Sequence, residues 1–562
     1  MKKILPLLFT FLLSGTLSAQ ENLVPSVLRL TGLPDASYLD GETLDYYESL
    51  SRRPVRINGT ARSRLAASGL FTPFQIAFIG DYRVLYGDIL SPAELSLVDG
   101  FNPEMVRALE PFLSFDPSGA ADSLNRKHTV FLRAGVQMKG EPADLLGGIR
   151  CAGQWGEGSG FGAAWRKTAG GESGGTFSLA LQGRRGRVIF GDYHARFGQG
   201  LCLWSGLDMT SPTTLSGFSK RTGGIVASSS WSGLGTFRGV SLDGVRGASS
   251  FSFSIPISAA PGLILHASRL FRRGEAALTA YGQKGGPFRL SGDFRWTVRS
   301  VHLFGETAFG GPSRMPAAVG GALIPLGEHW NTGLRFRAIP TGYSGKRYGT
   351  YSFAAGGEYS DGIYLKTDDG SSVIRNKLTF TLEGALLPEP VRNTGRRQVQ
   401  AAAEWTGRFS PVHTLVIRVV GKRRTFDPAK KIDFRIDAVR ESGGWTGKIR
   451  LNAVSSRSVG LLSYAEAGRK DESFSVWGRG TLFLADHWDD RLYCYERDLP
   501  GLFSVPALWG RGYALSLYGS FETRVGKGRL RLYARAGWTD SPWSIEKKPG
   551  KAELKIQSRI DF

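Results

Sequence analysis

Only three cysteines, Cys151, Cys202 and Cys494, are spread over 562 residues, so neither a disulfide scaffold nor a cysteine zinc site is encoded. The seven histidines show no i, i+4 or His-x-His spacing, which leaves no metal centre to expect. Beyond the first twenty residues no run of about 18 apolar residues occurs, so no transmembrane helix is expected. That absence does not bear on a β-barrel, because half of each barrel strand is polar. Lysine is missing from residues 20–125, where eight arginines face fourteen acids for a net −6. Residues 126–562 carry +26, so the basic character belongs to the second part of the chain. Glycine pairs such as Gly170-Gly171 and Gly174-Gly175 lack the Gly-Lys-Ser/Thr of a phosphate loop and suit hairpin turns.

The last residues supply the organising pattern. In Lys551 to Phe562, Leu554, Ile556, Ile560 and Phe562 fall on one side of a strand, and Lys555, Gln557, Arg559 and Asp561 on the other. The same alternation recurs upstream. Leu378, Phe380 and Leu382 alternate with Thr379, Thr381 and Glu383; Ile432, Phe434 and Ile436 with Asp433, Arg435 and Asp437; Ile449 and Leu451 with Lys448, Arg450 and Asn452. Leu515 and Leu517 share a face in another such segment, where Tyr518 joins the polar side. A soluble sandwich of this length would need several domains, yet no linker divides residues 128–562. A closed barrel needs none, with its apolar face toward lipid and its polar face toward a wet lumen. At roughly 17–20 residues per strand and turn, the expected fold is mostly β: a large transmembrane antiparallel barrel of about 22–26 strands. Trp445, Trp538 and Tyr513 near strand ends suit interfacial girdles.

Ahead of the barrel, Met1-Lys2-Lys3 and the apolar Ile4 to Leu17 form a signal peptide, residues 1–19. A helical lead segment is expected at 20–50, a small all-α domain at 51–116, a linker at 117–127 and the barrel at 128–562. Within the all-α part, helices are expected at Ala61–Ala67 after Thr60, at Pro73–Leu85, at Ala93–Val98 after Ser91-Pro92, and at Pro103–Leu109. On the Pro73–Leu85 helix, Phe74, Ile76, Phe78, Ile79, Tyr82 and Val84 form a broad apolar face.

Short helices alternating with turns at Gly69 and Gly100, with Pro54-Val55-Arg56-Ile57-Asn58 and Val98-Asp99-Gly100-Phe101, resemble the helix-hairpin-helix domain of competence-type DNA receptors. The arrangement is similar to Bacteroidota outer-membrane proteins that place this domain before a large barrel. The barrel shares that likeness loosely through Gly191-Asp192-Tyr193 and Phe197-Gly198-Gln199-Gly200-Leu201. The terminal strand ending at Phe562 resembles the signal read by the barrel-assembly machinery. These resemblances imply an outer-membrane location, contact with lipid and lipopolysaccharide, and a periplasmic helical domain that plugs the barrel or docks a periplasmic protein.

They also imply a DNA-uptake alternative, with Gly69, Gly100, Arg62, Arg64 and Arg107 as the candidate nucleic-acid contacts. Each hairpin keeps its first glycine but loses the second, to Phe71 and Asn102, where close backbone approach to a phosphate is needed. The domain is acidic as well, whereas DNA affinity comes mainly from lysine and arginine. A docking module is therefore the preferred reading.

No enzyme and no cofactor are expected. A rim protease at Asp486-His487 and Asp489-Asp490, or at Asp192 and His194, is a distant alternative resting on adjacency in sequence. His266-Ala267-Ser268 matches an outer-membrane phospholipase pattern but lacks the asparagine that should follow. Arg435, Arg450, Arg529, Arg531 and Arg535 are the candidate basic lumen residues. They either attract anions through a pore or pair with acids across the lumen and phosphates at the rim. The stretch Arg196–Ser211 breaks the alternation and is a candidate to fold inward.

Overall fold

The computed structural model describes the chain from residue 23 onward, except residues 32–38, 40, 53, 61–64, 66–67, 102, 119–126, 140–143, 156–158, 169, 184–185, 206–213, 221, 232–234, 258–260, 311–315, 328, 342, 344–349, 361–363, 367–371, 375, 388–395, 472, 503 and 545–548. The signal peptide and most of the Ala61–Ala67 helix, with Arg62 and Arg64, lie outside the described residues.

Helices α1 (Leu23–Thr31), α2 (Gly41–Arg52), α3 (Pro73–Tyr86), α4 (Pro92–Leu95) and α5 (Pro103–Leu109) form the first part. Their ends follow from capping chemistry. Thr72 and Gln75 make a reciprocal capping box at the start of α3, with Pro73 at its first position. Gly87, at φ +91°, closes that helix, and the Ser91 hydroxyl accepts from Glu94 N–H to open α4. Val27, Leu30, Ile57, Ile76, Ile79, Ile89, Leu95, Leu109 and Phe112 are buried together. A two-residue parallel pairing of Val55–Arg56 with Leu113–Ser114 brings the two ends of the domain side by side.

Three local expectations are corrected. Gly174-Gly175, expected in a hairpin turn, lies within the strand Ser173–Gln182 and pairs with Arg166 and Trp165. The helix expected at Ala93–Val98 spans Pro92–Leu95, and Val98 is instead buried in the domain core. Val84 does not share the apolar face of α3: it is 85% exposed, with Leu85 and Tyr86 exposed beside it, because the last turn runs past the residues the helix packs against.

Among the described residues twenty-five strands join one antiparallel sheet; 24 form a closed wall, and Gly224–Ala227 pairs there only with the end of the strand Gly186–Arg196. Closure is made by Lys127–Lys139 against Lys551–Asp561, from Thr129↔Asp561 to Lys139↔Lys551. Because an even number of antiparallel strands returns the chain to its starting end, Lys127 and Phe562 lie at one rim. His128 and Phe562 exchange backbone hydrogen bonds there. The turns at that rim are mostly short, such as 411–412 and 443–444, whereas the longest connections, 197–236 and 486–509, leave the opposite rim.

The two faces of the wall are separated as the alternation requires. Phe380 and Leu382 are 45% and 54% exposed, while Thr379, Thr381 and Glu383 are 6%, 5% and 5% exposed. Leu554, Ile556 and Ile560 face outward, and Lys555, Gln557 and Arg559 are buried within. Tyr518 is buried on the inner side, as its place in the pattern suggests. A ring of exposed leucine, phenylalanine, valine and tryptophan around the whole outer wall exceeds what a water-soluble monomer exposes, and suits a lipid surface. The chain is a membrane-type β-barrel.

Candidate functional site

The lumen is the candidate site, and three pieces of the chain lie in it or against its rim. The first begins where the strand Gly186–Arg196 leaves the wall. Gly191 adopts φ +94°, and a Cβ there would come 2.1 Å from Phe177 O, so only glycine fits this bend. Up to the bend the strand pairs with Ser173–Gln182, and as far as Tyr193 with Phe237–Arg246; Tyr193–Arg196 pairs with Gly224–Ala227. Asp192 stitches the departure point, accepting the Phe177 N–H at 2.7 Å and both a 2.9 Å Nε–H and a 2.9 Å Nη–H from Arg238.

The chain then turns at Gly198 and Gly200, both with positive φ, which aims successive backbone N–H groups at one point. The buried Glu306 carboxylate sits there, accepting from Gln199 N at 2.6 Å, Leu201 N at 3.0 Å and Cys202 N at 3.1 Å. Phe197 stacks on His266 at 4.1 Å, and the Tyr343 hydroxyl donates to Leu201 O. Further on, Leu215 and Phe218 fill the space over Gly333 and Gly356 of the wall, where a Cβ would be within 3.2 Å of them. Arg133 lies over the buried Trp231 ring at 4.0 Å. Of the stretch expected to fold inward, Arg196–Ser211, residues 196–205 do so, and 206–211 lie outside the described residues.

The helical domain is the second piece, seated at the rim of the short turns. Arg29 of α1 pairs with Glu358 of the wall at 3.4 Å, and Asp81 of α3 with Arg272 of a rim turn at 3.7 Å. The Gly69 hairpin abuts the inward segment so closely that a Cβ on Gly69 would lie 2.6 Å from Thr222 O. Arg196 lies 4.8 Å from the ring centroid of Tyr46, whose hydroxyl donates to Ser68 O. Burial pushes the Tyr46 phenol well above the ordinary tyrosine range, so it stays a neutral donor.

The third piece is the loop 486–509 from the opposite rim. Arg133 donates to Pro500 O at 2.7 Å. Arg535, 2% exposed, is enclosed by Glu496, Glu553 and Asp498, and Lys555 donates to Asp498 at 2.9 Å. Asp490 at the mouth of this loop accepts N–H groups from Ser456, Arg457 and Ser458.

The expected basic lumen residues all face inward, in acidic company. Arg450 makes a bidentate pair with Asp437 at 2.5 and 2.9 Å, and Arg435 reaches Asp437 at 3.1 Å and Glu404 at 3.7 Å. Arg531 and the half-exposed Arg529 share Glu522, at 2.7 and 3.7 Å. Of the candidate DNA contacts, Gly69 is covered by the inward segment. Gly100 is exposed, its carbonyl taking a 2.8 Å bond from Gln75, and Arg107 is half-buried on α5. Thus the two hairpins lie side by side, with Phe71 and Phe101 at 6.1 Å, but only one faces outward.

The candidate enzyme motifs are occupied otherwise. Asp486 pairs with Arg511 at 2.7 Å, and Asp490 serves as a loop anchor. His266 bonds Thr279 at 2.9 Å, whereas Ser268 bonds Ser250 at 2.7 Å. Sequence reasoning missed Glu306, Arg133, Glu496 and Asp498. Their signal lies in partners a hundred or more residues away, or in a loop that alternation does not describe.

No protein-family model matches the sequence, and no curated protein does. Among solved structures the chain is similar to the P pilus usher (PapC) translocation pore, with 8% identity over 77% of this chain and 99% of that one and a TM-score of 0.37. It is also similar to OccK3 (OpdO) of Pseudomonas aeruginosa, with 10% identity over 78% and 96% and a TM-score of 0.32. A bacterial polysaccharide outer membrane secretin matches at 12% identity over 54% and 90%, with a TM-score of 0.24. The assignment as a large membrane-type β-barrel rests on this chain's own strand closure and its inverted faces.

Proposed function

We propose that the chain is an outer-membrane transport or assembly component whose helical domain, on the periplasmic side, acts as a plug. The observation that carries this is the contact between the Gly69 hairpin and Thr222-Gly223, which locks the domain to a segment already folded inside the wall. The ion pairs Arg29–Glu358 and Asp81–Arg272 hold the same domain to the barrel. Short turns at the rim bearing the domain and long connections at the other suit the periplasmic and outer faces of such barrels. Docking of a periplasmic partner on the domain would then be the event that releases it.

Conductance in planar bilayers tests the plug. The full-length protein is expected to stay closed, and a chain lacking residues 20–116 to open to larger and longer-lived currents. Equal conductance of the two would contradict the plug.

A further inference from the structure

The far end of the lumen wall carries an arrangement that its own neighbours do not neutralise. The strands His413–Arg424 and Lys430–Ser442 pair in a register that sets Lys422 directly across from Lys431, and Arg418 directly across from Arg435. Like charges at directly opposed positions repel and destabilise a sheet. Arg418 and Val420 are buried on the inner face, so alternation places Lys422 and Arg424 on that face too, beside Lys431.

Arg435 is neutralised by Asp437 and Glu404, but Lys422, Arg424 and Lys431 form no ion pair among the described residues. Lys431 reaches only a backbone carbonyl, that of Asp489, at 3.2 Å, and Arg424 the neutral amide of Gln398 at 3.1 Å. Asp427, the one acid in the connecting loop, is taken by Arg457. Arg396 closes the group, lying over the Phe426 ring at 4.1 Å while Arg424 lies at 5.4 Å from it. Across from Lys422 stands Gln400, 4% exposed, whose amide oxygen has no hydrogen-bond partner among the described residues. Elsewhere in this lumen Arg335, Arg450, Arg479 and Arg535 each pair with a carboxylate within 4 Å. Among the described residues Lys422, Arg424 and Lys431 have none that close, and Glu383, Asp433 and Asp490 act on Lys422 and Lys431 only from farther away.

We propose that Lys422, Lys431, Arg424 and Arg396 form a binding site for a multiply charged anionic solute, of the carboxylate or phosphate class, that enters from the rim opposite the helical domain. Gln400 would meet a hydroxyl of the same solute. The site names the substrate class of the transport reading and rests on it. Binding is nevertheless measurable on a closed barrel, so a failure here would leave the plug test untouched.

The test uses full-length protein in detergent and inorganic tripolyphosphate as the probe, read by calorimetry. The wild type is expected to bind, more weakly as salt rises. Lys422→Gln with Lys431→Gln should weaken binding ten- to roughly a hundredfold, the loss expected for charge-assisted contacts. The same double variant should unfold no lower in temperature than the wild type without the anion, because a repulsive pair has been removed. Arg423 and Lys430 are paired on the outward face of the same strands, so glutamine at both should leave binding unchanged.

Wild-type binding retained in the inward variant, or lost in the outward one, would overturn the site; the second result would assign the phosphate to lipid headgroups. A check free of variants is acetylation of Lys422 and Lys431 with and without tripolyphosphate, where absence of protection would also overturn it.

Discussion

The Glu306 carboxylate accepts the Gln199 N–H at 2.6 Å, joining the wall to a segment 107 residues earlier in the chain. Two more N–H groups, from Leu201 and Cys202, converge on the same carboxylate. A buried anion is tolerable here because three donors replace its water. Glu306→Gln keeps the shape but loses the charge and one acceptor oxygen. Amide exchange at Gln199, Leu201 and Cys202 is expected to quicken by about ten- to a hundredfold, reflecting loss of charge-assisted bonds. Unchanged exchange would show that the surrounding packing alone holds the segment.

Arg535 poses the opposite problem, one cation answering Glu496, Asp498 and Glu553. Arg535→Gln leaves three buried acids, of which Asp498 keeps Lys555 and Glu553 keeps Lys555 and Lys551. A loss of about 3–5 kcal/mol is the usual scale for breaking such a buried network from one side. The expected outcome is proteolytic cleavage within 486–509 while the barrel itself remains folded. A loop as protected as the wild type would contradict it.

Gly191 is tested by alanine. Its positive φ alone costs a Cβ-bearing residue about 1–2 kcal/mol, and the 2.1 Å approach to Phe177 O adds strain that the wall must absorb. Gly191→Ala is expected to lower the temperature at which the folded band disappears in unboiled electrophoresis. Gly174→Ala, where nothing lies within 4 Å of the added atom, should leave it unmoved.

Acid should release the loop 486–490. Burial by itself would raise the Asp490 carboxyl, but hydrogen bonds from Ser458, Ser456 and Arg457 outweigh it and hold the group below its ordinary value. A depressed folded-state value contributes stability above the unfolded value of about 3.9, and that contribution fades as pH falls through the folded one. Trp488 and Trp509 meet at 5.5 Å in this loop, so their fluorescence should change below about pH 4 and stay flat from there to neutrality. Asp490→Asn should shift toward the acid spectrum already at pH 7.

The wall was legible because period-two alternation is a local signal repeated in strand after strand. Leu378 to Glu383 places its faces with no knowledge of any partner. The occupied lumen was legible only as an interruption: Gly198-Gln199-Gly200 broke the pattern, but nothing near it named Glu306. The repulsive pair Lys422 and Lys431 was hidden for a related reason. Each lies in an ordinary basic run, and only the register sets them face to face. On α3 helical spacing assigned Val84 to the packed face, although the helix outruns its packing surface there.

The central claim is that the outer face of the wall meets lipid and the inner face does not. Single nitroxide labels at successive positions from Lys377 to Glu383, in protein reconstituted into phospholipid vesicles, test it directly. Collisions with oxygen, which concentrates in lipid, are expected at Leu378, Phe380 and Leu382, and not at Thr379 and Thr381. Labels at Phe380 and Leu382 that instead collide with a water-soluble nickel chelate, or protein that stays folded in buffer without detergent, would contradict a membrane-spanning barrel.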